Sequence, residues 1–198
     1  MNQVENYTRA LEIFQELDSL RTLSSETISL PVNLGFIHYE LENFEQAEKQ
    51  LMRIINFDGD DFDRRALGLL TFKLGQINLV RENYSTAIDY FNLSIEVYDQ
   101  YDNSLQKVQS LNGIALTYLA LNEIDQALEY GLRAMNIANE QSGLPEQNES
   151  AETLYKIYKQ RSDFENALGY LESFKASSDS LLNAEVNREA GRLGLNLN

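Results

Sequence analysis

The sequence lacks cysteine altogether, and its only histidine is His38. The first absence excludes disulfides, a thiolate nucleophile and zinc held by cysteine, and the second excludes any site that needs two imidazoles. Two prolines and ten glycines among 198 residues are too few for a loop-rich fold. Basic residues are scarce as well. The sequence has 16 Lys and Arg and 31 Asp and Glu, which gives a net charge of -15. This balance argues against a nucleic-acid partner and against an anionic membrane surface.

Long hydrophobic runs are also absent. No segment approaches the roughly 20 consecutive apolar residues that a membrane span requires, so we expect no direct membrane insertion. The N-terminal segment has neither a basic start nor an apolar stretch, so no signal peptide is expected in the sequence as it stands. Apolar residues nevertheless make up 43% of the chain, which is typical of a folded globular protein with a sizeable core.

Internal repeats dominate the sequence. Five similar segments each contain an alanine at the same place: Ala10, Ala47, Ala87, Ala127 and Ala167. The last four alanines are 40 residues apart. A large apolar residue stands three positions before each alanine, as Phe44 and Ile124 do, and this spacing marks one face of a helix. Further apolar residues lie 13 positions upstream, beginning with Leu34, so each repeat is predicted to be a pair of amphipathic helices.

A short polar turn separates the two helices of each repeat, at Glu42-Asn43, Glu82-Asn83, Asn122-Glu123 and Ser162-Asp163. These side chains are predicted to cap the following helix, because their oxygens can accept its unpaired N–H groups. Ser162 and Glu165 also have the spacing of a capping box. The alanines are expected where two helices cross, since a small residue lets the backbones approach closely.

This pattern resembles the tetratricopeptide repeat (TPR), a helix–turn–helix unit whose copies stack side by side. The small residues Gly35, Gly75 and Ala115, with the alanine of the next helix, carry the resemblance, which covers roughly residues 2–182. It implies an all-α fold, a right-handed superhelical α-solenoid of about four to five TPR-like helix–turn–helix repeats with a C-terminal capping helix. The 40-residue period is longer than the roughly 34 residues common in the family, and the family's tryptophan is missing.

The resemblance also divides the chain. Residues 1–182 are expected to form the repeat array, and residues 183–198 a terminal capping or linker helix and tail. The segment that begins near Ser178 either continues the last helix or starts another, and it carries Leu182 and Val186 on one stripe. Pro31 leaves a second alternative, since it either opens a short helix or kinks a longer one that begins near Ser25.

Motifs that carry chemistry are missing from the sequence. It has no phosphate-binding loop, dinucleotide fingerprint, nucleophile elbow or HExxH helix. The acidic cluster Asp58, Asp60, Asp61 and Asp63 lacks the glycine and glutamate positions of a calcium loop, so we interpret it as a solvated loop. His38 stands at a position that is normally aromatic and packed, so a structural role is expected for it. We therefore predict no enzymatic activity, no cofactor and no metal site.

In proteins with TPR repeats, the first helices of successive repeats line a concave groove. The resemblance places ten residues there: Val32, Phe36, Tyr39, Phe72, Gln76, Leu79, Asn112, Leu116, Leu119 and Lys156. Glu152 and Lys159 complete the set at the last repeat. Because the set is largely apolar and basic groups are sparse, a protein or peptide partner with an amphipathic or basic segment is favoured. The alternative is that these side chains pack against each other or against the terminal helix.

The last repeat shows a narrower resemblance. Residues 154–183 resemble the final repeat in the sensor regions of bacterial histidine kinases and diguanylate cyclases, mainly at Asp179, Ser180, Leu181 and Asn183. This implies a non-catalytic input module of a bacterial signal-transduction protein. We expect a cytoplasmic location for the chain as it stands, or a periplasmic one if it is the sensor region of a membrane protein. The alternative function is self-association, in which the groove contacts a second copy and a homo-oligomer forms.

Overall fold

The computed structural model describes residues 3–19, 29–57, 65–101 and 103–192. Over these residues the chain is all-α, with nine helices and no strand, as predicted. The helices are α1 (Gln3–Ser19), α2 (Ser29–Glu40), α3 (Phe44–Ile55), α4 (Ala66–Val80), α5 (Tyr84–Gln100), α6 (Ser104–Ala120), α7 (Ile124–Glu140), α8 (Leu144–Gln160) and α9 (Phe164–Arg192). The acidic cluster at residues 58–63 and the tail after Arg192 lie outside the described residues.

The helices belong to two compact units, Met1–Tyr90 and Phe91–Asn198. In the first unit α1 packs on α2, α2 on α3 and α3 on α4. In the second unit α6 packs on α7, α7 on α8 and α8 on α9, and α8 also contacts α6. Contact between α6 and α8 joins the first helices of two successive repeats. Each unit is therefore built from helical hairpins that pack on their neighbours in chain order.

The four alanines that are 40 residues apart lie in the core, as predicted, whereas Ala10 is half-buried. Those of the four complete repeats are all buried: Ala47, Ala87, Ala127 and Ala167. In the second unit Ala127 of α7 packs in one cluster with Ala115 of α6 and with Leu154 and Ile157 of α8. Three helices therefore meet at this alanine, where a side chain of one carbon lets them approach closely.

Stacked tyrosines recur with the same period. Tyr118 stacks on Tyr130 in the hairpin α6–α7, with ring centroids 5.6 Å apart. Tyr158 stacks on Tyr170 in the hairpin α8–α9, with centroids 5.5 Å apart. Aromatic pairs of this kind contribute about 0.5–1.5 kcal/mol beyond the area they bury. Because both pairs join the first and second helix of a repeat, they fix the register of each hairpin.

The turns between paired helices terminate the first helix. Glu42, Glu82, Asn122 and Ser162 each adopt a left-handed backbone conformation, with φ between 58° and 63°. The following residue donates its backbone N–H to a carbonyl five positions back, as Asn83 does to Asn78 at 2.8 Å. This arrangement is a Schellman motif, which satisfies carbonyl groups at the end of the helix.

The predicted side-chain caps are only partly present. Neither Asn43 nor Glu123 caps the helix that follows it, so the prediction is wrong at these two turns. The capping box of Ser162 and Glu165 is also wrong, since Ser162 holds the left-handed position one residue before the cap. Asp163 caps instead, because its Oδ1 accepts the backbone N–H of Asn166 at 3.3 Å. The backbone geometry of the turn therefore decides which side chain can reach the helix end.

Replacing Glu82 with glycine is expected to raise the free energy of unfolding by about 0.5–1 kcal/mol, because glycine adopts positive φ without steric cost. Urea-induced unfolding of the variant measures the change. Asn122→Gly is the matched control at the same turn position, and its gain should be smaller because asparagine tolerates this conformation better than glutamate. A loss of stability in Glu82→Gly would contradict the assigned turn geometry.

The last helix settles one alternative that the sequence leaves open. α9 runs without a break from Phe164 to Arg192, so the segment after Ser178 continues the last helix. The boundary expected between residues 182 and 183 falls inside this helix. Pro31 lies in the first turn of α2, and residues 20–28, where a longer helix would begin, lie outside the described residues. None of the described helices is both long and apolar enough to span a membrane.

Candidate protein-binding surface

The predicted groove residues lie on the first helices of the repeats. In the first unit Val32, Phe36 and Tyr39 lie on α2, and Phe72, Gln76 and Leu79 lie on α4. In the second unit Asn112, Leu116 and Leu119 lie on α6, and Glu152, Lys156 and Lys159 lie on α8. The two sets have different surroundings, which determine which side chains a partner can reach.

A cavity of about 320 Å³ opens between α1, α2 and α4 in the first unit. Its lining residues are Tyr7 and Phe14 from α1, Asn33, Phe36, Ile37 and Glu40 from α2, and Lys73 from α4. The walls are mostly apolar, and Glu40 and Lys73 add one charge of each sign. Phe36 is the predicted groove residue that lines this cavity. Such a combination of apolar surface and few charged groups is typical of a site that orients a bound segment.

A cation–π contact lies beside this cavity. The Lys73 Nζ atom is 4.3 Å from the ring centroid of Tyr39 and 5.8 Å from that of Phe72. Burial raises the pKa of the Tyr39 hydroxyl, and the neighbouring Glu40 carboxylate raises it further. The phenol therefore stays neutral near pH 7, and its ring is available to hold the ammonium group in place.

Two of the predicted residues on α4 are less accessible than the sequence suggests. Phe72 is buried, so the prediction that it forms part of an open groove is corrected: it belongs to the packed interior. The Oε1 atom of Gln76 is also buried, and no donor among the described residues reaches it. Val32, Tyr39 and Leu79 are half-buried, and they therefore contribute only part of their surface. A buried acceptor without a donor costs about 1–3 kcal/mol, so the side chain of Gln76 lowers the stability of the fold in this position.

The second unit departs further from the predicted groove. Asn112 is fully buried, and its Nδ2 donates a hydrogen bond to Ser150 Oγ at 3.1 Å. The amide therefore links α6 to α8 and is a structural contact, which corrects its assignment as a binding residue. Leu116 and Leu119 are half-buried. Lys156 is exposed but pairs with Glu152 at 2.7 Å, an ion pair between exposed side chains one helical turn apart.

A polar cavity of about 350 Å³ in the second unit has no counterpart in the sequence prediction. Its walls come from α7, α8 and α9, and its lining residues are Met135, Asn139, Gln147, Ala151, Tyr170, Ser173 and Ser177. Next to it, Asn148 Nδ2 donates to Ser177 Oγ at 2.8 Å and to Ser178 Oγ at 2.7 Å. The serines of α9 are the sequence feature that could have indicated this cavity. The repeat pattern, however, predicts binding residues on the first helices only.

His38 has the structural role that its position predicts. The side chain is buried in α2, and its Nδ1 atom has no hydrogen-bond partner among the described residues. Desolvation by this burial lowers the pKa of the imidazole below its ordinary value. The folded chain therefore holds His38 in its neutral form.

Lowering the pH is expected to destabilise the chain through His38. Between its lowered pKa and about pH 6.5, the unfolded chain binds a proton that the folded chain does not, so stability falls as the pH falls through this window. The loss can reach about 1.4 kcal/mol per pH unit. Urea-induced unfolding at pH 7.5 and 5.5 tests this in wild type and His38→Asn, which carries the residue found 40 positions later at Asn78. If the free energy of unfolding depended equally on pH in the two proteins, this would contradict the lowered pKa of His38.

No group of three or more His, Asp or Glu side chains is placed to hold a metal ion within residues 3–19, 29–57, 65–101 and 103–192. The acidic cluster at residues 58–63, for which the sequence predicts a solvated loop, lies outside those ranges.

Residues 65–140 match the family model described as Tetratricopeptide repeat. They include helices α4 to α7, and Ala87 lies on α5 and Ala127 on α7. Over these residues the chain therefore matches the tetratricopeptide-repeat family. TPR repeats are generally non-catalytic scaffolds for protein–protein interaction. No curated protein matches the chain at a significant level.

Solved structures of low sequence identity share the fold. A protein of nearly identical TPR-like repeats from Podosopora anserina is 13% identical, with a TM-score of 0.71 and coverage of 91% of each chain. A Rap protein complexed with Competence and Sporulation Factor is 14% identical, with a TM-score of 0.72, over 85% of this chain and 47% of that one. The Rap conjugation gene regulator of plasmid pLS20, in complex with the Phr* peptide, is 14% identical with a TM-score of 0.67, over 75% of this chain and 42% of that one. The chain thus spans less than half the length of both Rap proteins.

Proposed function

We propose that the chain is a non-catalytic protein- or peptide-binding scaffold that acts as a sensor or interaction module in bacterial signal transduction. The observation that carries the proposal is the cavity between α1, α2 and α4, whose lining includes Phe36. The preferred ligand is an amphipathic segment with at least one basic side chain. The complex of a Rap protein with the Phr* peptide supports peptide binding by this fold.

The dimensions of the cavity suit part of a peptide. Its volume of about 320 Å³ is near the lower end of the range of about 300–1,000 Å³ typical of ligand pockets. One or two apolar side chains of a bound segment can fill such a space, while the rest of the segment lies along the surface. Aromatic anchors such as Phe36 are the residues that most often contribute strongly to such binding.

Charge favours a basic ligand. Glu40 is exposed at the cavity and can pair with a lysine or arginine of the ligand. The net charge of -15 also accelerates the approach of a positively charged segment at low ionic strength. Lys73 is held over the Tyr39 ring and can donate a hydrogen bond to a carbonyl or carboxylate oxygen of the same ligand.

Signalling requires that the ligand prefer one arrangement of the helices to another. A segment seated in the cavity contacts α1, α2 and α4 at once, so its binding free energy depends on the positions of three helices. A ligand shifts a conformational equilibrium only by the difference in its affinity for the two states. The cavity therefore offers a place where binding and a helix movement are coupled.

The test is selection of random twelve-residue peptides displayed on phage against the immobilised chain. Enriched peptides are synthesised with a fluorescein label, and their dissociation constants are measured by fluorescence anisotropy. We expect basic, amphipathic sequences, and binding weaker by about tenfold or more in Phe36→Ala and in Glu40→Lys. Val80→Ala changes an exposed apolar residue of α4 outside the cavity, and it should leave binding unchanged.

Folding is checked by circular dichroism and thermal unfolding of each variant. Glu40→Lys alters an exposed side chain, so it keeps the proposal testable if Phe36→Ala unfolds. Peptides that bind both variants as tightly as wild type would overturn the proposed site. Enrichment of acidic peptides would overturn the proposed ligand class.

A further inference from the structure

The start of α9 carries an exposed apolar face. Phe164 is 68% exposed and Leu168 is 56% exposed, while Leu171 is half-buried. These three positions are four and three residues apart, so they lie along one side of the helix. Large apolar side chains at this exposure and spacing form a continuous patch, which soluble proteins usually bury against a partner.

The equivalent face one repeat earlier is covered. Ile124, Leu128 and Gly131 of α7 stand 40 residues before the three residues of α9. Ile124 and Leu128 pack against the cluster that contains Leu154 and Ile157 of α8. This internal interface indicates what the equivalent face of α9 can contact. In α7 the contacted element is the first helix of the next hairpin, which carries aliphatic residues three positions apart. Since Phe164 and Leu168 are exposed, no described residue covers them.

Side-chain size is complementary at these interfaces. Gly131 of α7 faces the large residues Leu154 and Ile157, and a Cβ at Gly131 would lie 3.0 Å from Leu154 Cδ2. In the preceding repeat the relation is reversed, because the ring of Phe91 lies against Gly113 of α6. Leu171 stands at the same register position as Phe91 and Gly131. Because leucine is large, a helix that packs there needs a small residue opposite it, as α6 has.

We propose that Phe164, Leu168 and Leu171 form a docking surface for an amphipathic helix of a partner protein. The partner helix has the α6 pattern, with aliphatic residues around one small residue that faces Leu171. Residues 163–182 contain four carboxylates and one lysine, so basic residues flank the apolar face of the partner. The surface shares no residue with the cavity at Phe36, and it adds a second interaction site to the scaffold.

The test uses a fluorescein-labelled peptide with the sequence of α6, residues 104–120, and a matched peptide in which Gly113 is leucine. The full chain should bind the first peptide saturably, and the second about tenfold or more weakly, because leucine collides with Leu171. Phe164→Glu and Leu168→Glu in the protein should each weaken binding of the first peptide by about tenfold or more. Both substitutions change exposed side chains, and circular dichroism verifies that the fold is retained.

Two control variants separate this surface from other sites. Leu132→Glu changes a residue of α7 that is 41% exposed and lies off the proposed surface, and it should leave affinity unchanged. Phe36→Ala should also leave it unchanged, so failure of this proposal is distinguishable from failure of the proposed cavity site. Equal binding of the two peptides would overturn the proposal, as would equal losses in Leu132→Glu and Leu168→Glu.

Sedimentation velocity of the chain without peptide tests whether a second copy of the chain covers this surface instead. A monomer that binds the α6 peptide supports a helix of a partner protein. A dimer that Leu168→Glu converts to a monomer, with no binding of the peptide, would overturn the proposal in favour of a second copy of the chain.

Discussion

Replacing Gly113 with alanine is expected to lower the free energy of unfolding by up to about 2 kcal/mol, although alanine is the better helix former. A Cβ at Gly113 would lie 2.5 Å from the ring of Phe91, and that ring is fully buried. Overpacking costs about 1–3 kcal/mol, whereas replacing glycine inside a helix gains only about 1 kcal/mol. Urea-induced unfolding of the variant measures the balance.

The same substitution at Gly169 is the matched control. A Cβ there meets nothing within 4 Å, so Gly169→Ala should raise the free energy of unfolding by up to about 1 kcal/mol. Opposite signs at Gly113 and Gly169 separate the packing contribution from helix propensity. A double-mutant cycle with Phe91→Leu adds a second check, because a smaller side chain at residue 91 should make Gly113→Ala less costly. If the single substitution Gly113→Ala raised the free energy of unfolding, this would contradict the close contact between residue 113 and the ring of Phe91.

Replacing Ala127 with leucine is the second substitution with a large expected effect. The larger side chain must enter a cluster formed by Ala115 of α6 and by Leu154 and Ile157 of α8, all of them buried. We expect a loss of about 1–3 kcal/mol in the free energy of unfolding, because the three helices cannot separate locally without losing their other contacts. Thermal and urea-induced unfolding measure the loss.

Ala176→Leu is the control for this prediction, since Ala176 lies on an exposed side of α9. The exposed leucine should change stability by less than about 0.5 kcal/mol. Similar stabilities of wild type and Ala127→Leu would contradict the assignment of the repeated alanines to helix crossings. Loss of stability in both variants would point to a general effect of leucine rather than to packing at residue 127.

The sequence predicts the hairpins well because packing imposes the period. Ala127 and the stacked Tyr118–Tyr130 pair are repeated 40 residues later, at Ala167 and Tyr158–Tyr170, since each repeat solves the same packing problem. A period of this kind shows directly in the order of apolar and small residues. The all-α class and the paired helices therefore follow from the sequence alone.

The turn conformation does not follow from the sequence in the same way. Glutamate and serine at the left-handed positions give no glycine signal, so the polar turns resemble ordinary helix caps. The burial of Asn112 depends on Ser150, 38 residues away, whose hydroxyl accepts its hydrogen bond. Offsets within a repeat place a residue on a helix face, but they do not determine what lies opposite.

Chemical-shift mapping by NMR tests the central claim, that a ligand binds on the first-helix surface at the α1–α2–α4 cavity. Backbone amide spectra of the labelled chain are recorded with and without a peptide selected by phage display. We predict the largest shift changes at Phe36, Glu40 and Lys73, with small changes at Lys49 on the exposed side of α3. Largest changes at Lys49, with none at the three cavity residues, would contradict it.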